Sequence, residues 1–408
     1  MPVNLVALFS DITPQESVKS ILGRIDRLGA RVYGPEEFEL EVESNPSILN
    51  QHNYLFIGTG GTEKAAVNLL DAVQLPEPLV LVAHDRSNSL PAALEIRAYA
   101  DESGMEAQVV HDSLERLASR IKTWVSHVEV EEMIRRSRLG VIGNPSFWLV
   151  ASEVDQAAVK RRWGLSIEHY DLSEITERLS DTLGRDQEKA MKKHARDAKQ
   201  VEVPDEELSR ASLVAQALAR VAEERNLQVV TLECFRLLEE TGISGCYAVS
   251  EFNDLPDVVA GCEGDVPAAF TMFLAKLLTG RASFMANVAQ VDERNNTVVF
   301  SHCTVPLSMV QSYETVTHFE TGLSVGLRGS IEPQPVTVFK VHGPDLSDWW
   351  ISSGEIVENL RNDTGCRTQV RVVLDAPVSY FLEASLANHH ILILGDHTEE
   401  ISAFMDFV

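Results

Sequence analysis

The sequence predicts an α/β protein in which two Rossmann-like α/β domains precede a C-terminal, mainly antiparallel, barrel-like β domain. Up to about residue 240, short apolar runs alternate with segments whose apolar residues recur at helical spacing. Such strand–helix alternation is typical of a parallel sheet with helices on both faces. From about Val288, short runs rich in Val, Ile and Thr are separated by Gly, Pro, Asn and Asp. That pattern favours an antiparallel sheet or a small barrel.

The first domain is expected to contain three strands and three helices. The strand segments are apolar and end at small or polar residues, and they read NLVALFSDI, YLFIGTGG and LVLVAHD. The helical segments are QESVKSILGRIDRLG, TEKAAVNLLDAV and AALEIRAYADESG. A long amphipathic stretch over 111–137 then ends in charged residues, which predicts a domain boundary there.

The second domain begins like the first, and the third changes character. A strand in RLGVIGNPSFWLVAS runs into a turn, LSIEHYDLSEI predicts a second short strand, and NLQVVTLECF a third. Residues 185–225 have helical periodicity and many charges, so we expect one or two exposed helices there.

In the third domain the predicted strands are TVVFSHCTV, GLSVGLRG, PVTVFKVHG, TQVRVVLD and HHILILGD. We therefore place the three domains at 1–137, 138–287 and 288–408.

Length and charge limit the classes of function. The 408 residues, at about 150 per domain, allow two or three domains. The 61 acidic and 35 basic residues give a net charge of −26, which argues against nucleic acid and anionic membranes as partners because phosphates would be repelled. No apolar run approaches the ~18 residues of a membrane span, and no secretory signal is visible. Five cysteines without a CxxC pair predict reduced thiols in a cytoplasmic protein.

Two features of the first domain are candidates for ligand binding. The Gly-Thr-Gly-Gly stretch at 58–61 lies between a strand and a helix, but it lacks the spacing of a nucleotide-binding loop, so a tight turn is the favoured interpretation. Asn88 follows the strand LVLVAHD and is expected at the carboxyl edge of the sheet, where ligands of α/β proteins tend to bind. A plain turn explains Asn88 equally well.

A cluster of polar residues in the second and third domains is more informative. Glu263 and Asp265 precede the apolar helix VPAAFTMFLAKLL, where helix capping alone would explain them. Further polar residues interrupt apolar, β-prone runs downstream, namely Asn287, His302, His389, His390 and Asp396. A carboxylate and two imidazoles supply three ligands for manganese, iron, cobalt or zinc. Since successive side chains of a strand point to opposite faces, only one of the paired histidines is expected to face a given site.

Three segments in this order resemble the C-terminal half of the L-fucose and L-arabinose isomerase superfamily, particularly its shorter branch. They read CEGDVPAAFTMFLAKLLTG…FMANV, SHCT and NHHILILGD. The resemblance is strongest over residues 245–408, and the N-terminal part matches in architecture. It implies a cytoplasmic aldose–ketose isomerase that forms a cis-enediol, with Mn2+ (or Co2+, Fe2+ or Zn2+) as the metal. It also implies a homo-oligomer, a trimer or hexamer, whose subunits share active sites.

The resemblance assigns roles to individual residues. Glu263 matches the first acidic metal ligand, Asn287 stands at the second acidic position, and His302 and His389 match the histidines, with His390 as the alternative to His389. Asn287 is a departure from the family, because an amide oxygen can bind a metal but cannot take a proton. Glu263 then becomes the expected base, with Asp265 or Asp396 as candidates for the missing acid.

The substrate and the reaction stay open at the level of sequence. Fucose, arabinose and substituted hexoses all suit the motifs, including a sugar with an anionic C6 group if Arg328 or His84 faces the pocket. His390, Arg328, Asn88 and Asp396 are the expected substrate-binding residues, although a surface ion pair is the ordinary role for Arg328. Asn287 also allows a non-catalytic sugar-binding or regulatory protein, and an epimerase or lyase that uses the same enediolate is a further alternative.

Overall fold

The computed structural model describes residues 2–408, which form two compact units. The first unit holds the chain up to Met133 together with Phe407, and the second holds residues 134–406 with Val408. Within the described residues, no helix is both long enough and apolar enough to cross a membrane. The predicted α/β fold class with a C-terminal antiparallel barrel is confirmed.

The first unit contains a five-stranded parallel sheet. Its strands are β1 (Val3–Leu8), β2 (Arg31–Tyr33), β3 (His52–Ile57), β4 (Leu79–His84) and β5 (Ala107–Asp112), in the order β2-β1-β3-β4-β5. Its helices are α1 (Gln15–Ile25), α2 (Pro35–Ser44), α3 (Glu63–Ala72), α4 (Ser89–Glu102) and α5 (Leu114–Arg136). The sequence predicted β1, β3 and β4, which are almost fully buried. It missed the edge strands β2 and β5, because partly exposed edge strands have no continuous apolar run.

The second unit begins with a four-stranded parallel sheet. Its strands are β6 (Arg138–Ile142), β7 (Ser166–Tyr170), β9 (Val229–Leu232) and β10 (Val259–Cys262), in the order β10-β9-β6-β7, while β8 (Gln200–Val201) lies in another sheet. The helices of this region are α6 (Gln156–Trp163), α7 (Ser173–Thr176), α8 (Arg185–Asp197), α9 (Asp205–Arg225), α10 (Cys234–Thr241), α11 (Cys246–Asn253) and α12 (Val266–Thr279).

The prediction of exposed helices over 185–225 is wrong for α9. This helix buries ten residues, including Leu208, Val214 and Leu218. Its charged residues occupy one face, and they obscure a buried stripe of small and apolar residues at helical spacing.

A closed six-stranded antiparallel barrel follows. Its strands are β11 (Ser283–Asp292), β12 (Thr297–His302), β15 (Gln334–His342), β16 (Asp348–Asn359), β17 (Thr368–Leu374) and β18 (His390–Leu394), in the order β11-β12-β17-β16-β15-β18. Strands β13 (Ser312–Val316) and β14 (Gly326–Ser330) instead form a three-stranded sheet with β8 in the order β14-β13-β8, so the predicted strand GLSVGLRG lies outside the barrel. Two short helices complete the chain, α13 (Tyr380–Glu383) and α14 (Thr398–Met405).

Candidate active site

Three side chains from the ends of different strands meet inside the second unit. Glu263 directly follows β10, His302 is the last residue of β12, and His389 directly precedes β18. The Oε1 atom of Glu263 lies 3.7 Å from Nε2 of His302 and 3.6 Å from Nε2 of His389. All three residues are buried. Within the described chain, they are the one group of three acidic, histidine or cysteine side chains close enough to share a metal ion.

The turn after β10 fixes the position of Glu263. Glu263 and Gly264 both adopt left-handed backbone conformations, with φ of 64° and 72°. A Cβ atom on Gly264 would lie 2.5 Å from Cα of Pro145, so only glycine fits there. The carbonyl of Glu263 accepts a hydrogen bond from the amide of Ser146 at 2.8 Å. Trp148 Nε1 donates to Oε2 of the Glu263 carboxylate at 2.7 Å, which leaves Oε1 facing the two imidazoles.

Each imidazole is oriented by a second partner. Nδ1 of His389 lies 2.8 Å from Oδ2 of Asp265, and Nδ1 of His302 lies 2.9 Å from the hydroxyl of Thr304. The other carboxylate oxygen of Asp265 accepts from the amide of Ala268 at 2.9 Å and caps α12. Asp265 therefore caps the helix and also fixes a histidine ring. Partners of this kind set the tautomer of metal-binding histidines, because they engage Nδ1 and free Nε2.

The acidic and basic side chains of this cluster stabilise one another's charged forms. Burial raises the pKa of the Glu263 carboxyl, but the neighbouring imidazoles of His302 and His389 outweigh this effect and hold that pKa well below its usual range. Asp265 is also buried, yet the charge of Lys340 and the bond to His389 lower its pKa to about 2. Burial lowers the pKa of His389, while its two acidic neighbours raise it to about 9. Both carboxylates are thus ionised at neutral pH.

The donor set fits a divalent metal ion. Nε2 of His389 is buried and has no hydrogen-bond partner among the described residues. This nitrogen faces a carboxylate oxygen of Glu263 and lies next to the imidazole of His302. Together the three side chains supply the mixed oxygen and nitrogen ligands that Mn2+, Fe2+, Co2+ and Zn2+ accept. Because buried polar atoms are normally satisfied, an ion bound by these three residues would explain the orphaned nitrogen.

Glu263 and His302 lie on the wall of a cavity of about 360 Å³. That volume is within the range of small-molecule sites. The wall also carries apolar side chains, amide groups and one further carboxylate, together with all five cysteines, which are free thiols. The amide groups belong to Asn287 and Asn388, and the further carboxylate is that of Glu320.

Asn287, the residue at the second acidic position, lines this cavity. It is on β11 opposite Ser301, next to the end of β12 that carries His302. Its Oδ1 atom accepts a hydrogen bond from Nδ2 of Asn388 at 2.5 Å, and its own Nδ2 faces the thiol of Cys366 at 3.8 Å. The structure thus brings Asn287 to the same wall as Glu263 and His302.

His390 lies away from the cavity, on the other side of its strand from His389. It is fully buried, with Nε2 3.1 Å from the hydroxyl of Tyr380 and Nδ1 2.9 Å from the carbonyl of Asn388. Burial lowers the pKa of His390 to about 3, so the ring is neutral. It packs against Trp350 and Phe381. Of the two adjacent histidines, His389 is therefore the one beside Glu263.

Two other expected substrate-binding residues have partners elsewhere. Arg328 donates to Glu314 at 3.0 Å and to Asp363 at 3.3 Å, which is an ion-pair cluster outside the cavity wall. Asp396 accepts from the backbone amide and the hydroxyl of Thr398 at the start of α14. Neither side chain is brought to the three-residue cluster.

Asn88 and His84 belong to the first unit. Asn88 precedes α4 in a left-handed conformation, with φ of 55°, and it packs on Gly60. His84 is buried, and its Nε2 lies 2.9 Å from the carbonyl of Gly58. Both side chains therefore help to shape the turn that was predicted at 58–61.

Two residues of this region escaped the functional assignment from sequence. Trp148 was not among the expected site residues, yet its indole N–H donates a hydrogen bond to Glu263, which lies 115 positions away in the chain. Lys340 was not singled out at all, although a lysine inside the apolar run VTVFKVHG was an available signal. It is fully buried in β15, and its charge acts on Asp265.

Comparison with known proteins finds distant relatives. No protein-family profile matches this chain. Proteins named sulfoquinovose isomerase from Priestia megaterium and Priestia aryabhattai are 22% identical over 299 residues, which cover 70% of this chain and 66% of theirs. A protein of the same name from Alkalicoccus urumqiensis is 25% identical over 332 residues, 78% of this chain and 70% of its own. The match thus spans just under two thirds of the Priestia proteins.

Proposed function

We propose that this chain is a metal-dependent aldose–ketose isomerase that acts on the open-chain form of a sugar. The observation that carries this proposal is the cluster of Glu263, His302 and His389, in which one carboxylate oxygen faces two oriented imidazole nitrogens. Two of these residues lie on the wall of a cavity suited to a small molecule. The relatives named sulfoquinovose isomerase, and the resemblance to fucose and arabinose isomerases, support the same reaction class.

The reaction converts an aldehyde at C1 and a hydroxyl at C2 into a hydroxyl at C1 and a ketone at C2. One proton moves from carbon C2 to carbon C1, and the O2 proton is lost as O1 gains one. A divalent ion bound by Glu263, His302 and His389, for which we propose Mn2+, would act as a Lewis acid that polarises the C1 and C2 oxygens. Asn287 offers its amide oxygen as a further ligand from the same wall.

Glu263 is the base that we assign to the carbon-bound proton. Its carboxylate is ionised because the two imidazoles hold its pKa below the usual range. The bond from Trp148 fixes Oε2, and the left-handed turn fixes the backbone. A carboxylate placed in this way can take the proton from C2 and return it to C1, since a single positioned base can serve both steps.

A second group must move the proton between the two oxygens. Asp265 is occupied by His389 and the start of α12, Asp396 is occupied by Thr398, and Asn287 cannot carry a proton. Glu320 is the other carboxylate on the cavity wall, in the turn after β13, and its side chain is exposed. We assign it the transfer from O2 to O1.

Hydrogen exchange in D2O tests the proposal. We would incubate the protein and Mn2+ with a panel of aldoses and ketoses that includes L-fucose, arabinose and sulfoquinovose, and record proton NMR spectra. We expect metal-dependent deuterium uptake at C2 of one aldose or C1 of its ketose, and none with Glu263→Gln. Absence of exchange on every sugar by the folded, metal-loaded protein would overturn the proposal in favour of a sugar-binding protein. Inversion at C2 of the recovered aldose would indicate an epimerase.

We further propose a cytoplasmic homo-oligomer, a trimer or hexamer with shared active sites. The five free thiols support a reducing compartment. The resemblance to the fucose and arabinose isomerases supports the oligomer. Light scattering combined with an activity assay checks this, and a fully active monomer would contradict it.

A further inference from the structure

A second cavity lies between α8, α11 and β13 in the second unit. Its volume is about 450 Å³, which is within the range of small-molecule sites. Lys193, His194 and Asp197 of α8 lie on its wall, together with Tyr247 and Glu251 of α11. Spacings of three or four residues place these side chains on one face of each helix. Among the described residues, this cavity shares no wall residue with the candidate active site.

The carboxylate of Glu251 is held by neutral groups. Glu251 is half-buried, and its two oxygens accept hydrogen bonds from Nε2 of Gln187 at 2.9 and 3.1 Å. Despite these bonds, burial and the negative charge of Asp254, which lies on the same wall, raise the pKa of Glu251. An ionised carboxylate in such a place is unfavourable until an opposite charge compensates it. The cavity therefore favours a positively charged occupant.

A buried imidazole and two tyrosine rings form another part of the wall. Burial lowers the pKa of His194 to about 4, so this ring is neutral. Its Nε2 lies 2.8 Å from the hydroxyl of Thr315, whereas its Nδ1 has no hydrogen-bond partner among the described residues. The ring centroid of His194 is 4.8 Å from that of Tyr247 and 4.9 Å from that of Tyr313. Aromatic rings and hydrogen-bond acceptors such as carboxylates are the groups that bind organic ammonium ions.

We propose that this cavity binds a small organic cation with a primary ammonium group, which pairs with the Glu251 carboxylate beside the tyrosine rings. His194, Glu251 and Asp254 are not close enough together to share a metal ion, so an organic cation fits this wall better than a bare ion. Lys193 also lies on the wall, but its side chain is exposed to solvent. Its charge competes with the ligand. This site is independent of the proposed isomerase activity.

Calorimetry on the metal-free full-length chain tests the proposal with butane-1,4-diamine as the probe. Butane-1,4-diol is the control compound, because it has the same carbon chain without the charges. We expect saturable binding of the diamine that is at least about tenfold tighter than binding of the diol, as charged hydrogen bonds commonly contribute. Absence of saturable diamine binding, or equal binding of both compounds, would overturn the proposal.

Variants assign the binding to this cavity. Glu251→Gln should weaken diamine binding by about tenfold, because it removes the negative charge and keeps the size of the side chain. Glu223→Gln is the matched control, since Glu223 is an exposed glutamate of α9 outside the cavity wall, and it should bind as the wild type does. This control is needed because a chain with a net charge of −26 attracts amines without a specific site. Equal affinities in the two variants would overturn the proposal.

A lysine variant covers the case in which Glu251→Gln does not fold. Lys193→Met removes the competing charge from an exposed position, so it should tighten diamine binding by about threefold. Lys192→Met is its control, because Lys192 is exposed, pairs with Glu188 and lies outside the cavity wall. Unchanged or weaker binding in Lys193→Met would contradict the proposal. Since these measurements use neither metal nor sugar, diamine binding without any hydrogen exchange on sugars would leave this site in place and count against the isomerase alone.

Discussion

Nδ1 of His389 lies 2.8 Å from Oδ2 of Asp265, while Nε2 of the same ring faces Oε1 of Glu263 at 3.6 Å. Two carboxylates separated by one residue therefore approach one imidazole from two sides. This is possible because Glu263 and Gly264 are left-handed, which turns the chain sharply between β10 and α12. One carboxylate orients the ring, and the other faces the free nitrogen of the same ring, at the position that we propose for a metal ion.

The first prediction concerns the choice between the adjacent histidines. Both His302→Ala and His389→Ala should lower bound Mn2+ to trace levels, because each removes one of three clustered ligand atoms. His390→Ala should keep its metal, since His390 faces Tyr380 and the aromatic cluster instead. It should cost about 2–4 kcal/mol of unfolding free energy through the lost packing and hydrogen bonds.

Metal analysis after dialysis and denaturant unfolding check these three variants side by side. Full Mn2+ occupancy in both His302→Ala and His389→Ala would remove these residues from the ligand set. Loss of metal in His390→Ala, with the protein still folded, would show that the register of β18 is shifted by one residue.

The three clustered side chains could be proposed from the sequence because they lie at strand ends. Glu263, His302 and His389 each mark the point where an apolar run stops or starts, and such ends cluster in a sheet or barrel. The resemblance to sugar isomerases then assigned a role to each of these residues. Whether His389 or His390 faces inward depends on the register of one strand, which the structure shows and the paired letters do not.

The partners of the cluster were beyond prediction for a physical reason. Trp148 reaches Glu263 only because the loop after β6 packs against the turn after β10, where Gly264 allows close contact. Such a contact depends on the packing of two loops far apart in sequence. Of the two acids proposed for proton transfer from sequence, Asp265 caps α12, as the sequence allowed, and Asp396 accepts a hydrogen bond from Thr398, which the sequence did not predict. Glu320 has no motif and is identified by the cavity it lines.

The second prediction is a pH dependence of the metal-free protein. The pKa of His389 is about 9 in the folded state, above its ordinary value of 6.5, because Asp265 and Glu263 bind the charged ring. A raised folded-state pKa means that this stabilisation is fully present below pH 6.5 and is lost as the pH rises through about 9. We expect the unfolding free energy to fall by at most about 3 kcal/mol across this window.

Urea unfolding of metal-free protein at pH 6 and pH 9.5 measures this change. His389→Gln is the control, because it should lose most of the difference between the two pH values. A wild-type protein that gains stability over the same window, relative to His389→Gln, would contradict the assigned direction.

The third prediction concerns the turn that carries Glu263. Gly264→Ala should destabilise the protein by at least about 2 kcal/mol, because alanine is strained at φ of 72° and its Cβ would meet the backbone of Pro145. Gly280→Ala is the matched control. It has a similar φ of 67° at the end of α12, but no atom lies within 4 Å of an added Cβ. Thermal unfolding and Mn2+ binding should both be more affected in Gly264→Ala, and equal effects would show that the contact with Pro145 does not hold the turn.

The last prediction tests the second proton-transfer group. Glu320→Gln keeps the size and hydrogen-bonding capacity of the side chain but cannot accept a proton, so the full isomerisation rate should fall by about 100-fold or more. Mn2+ affinity should be unchanged, because Glu320 is not part of the cluster of Glu263, His302 and His389. Glu332→Gln, an exposed glutamate outside the cavity wall, is the control and should behave as wild type. Because we assign the carbon-bound proton to Glu263, deuterium uptake should be slowed less than net turnover in Glu320→Gln. Equal turnover in Glu320→Gln and Glu332→Gln would leave the oxygen-to-oxygen transfer to another group and exclude Glu320 from the mechanism.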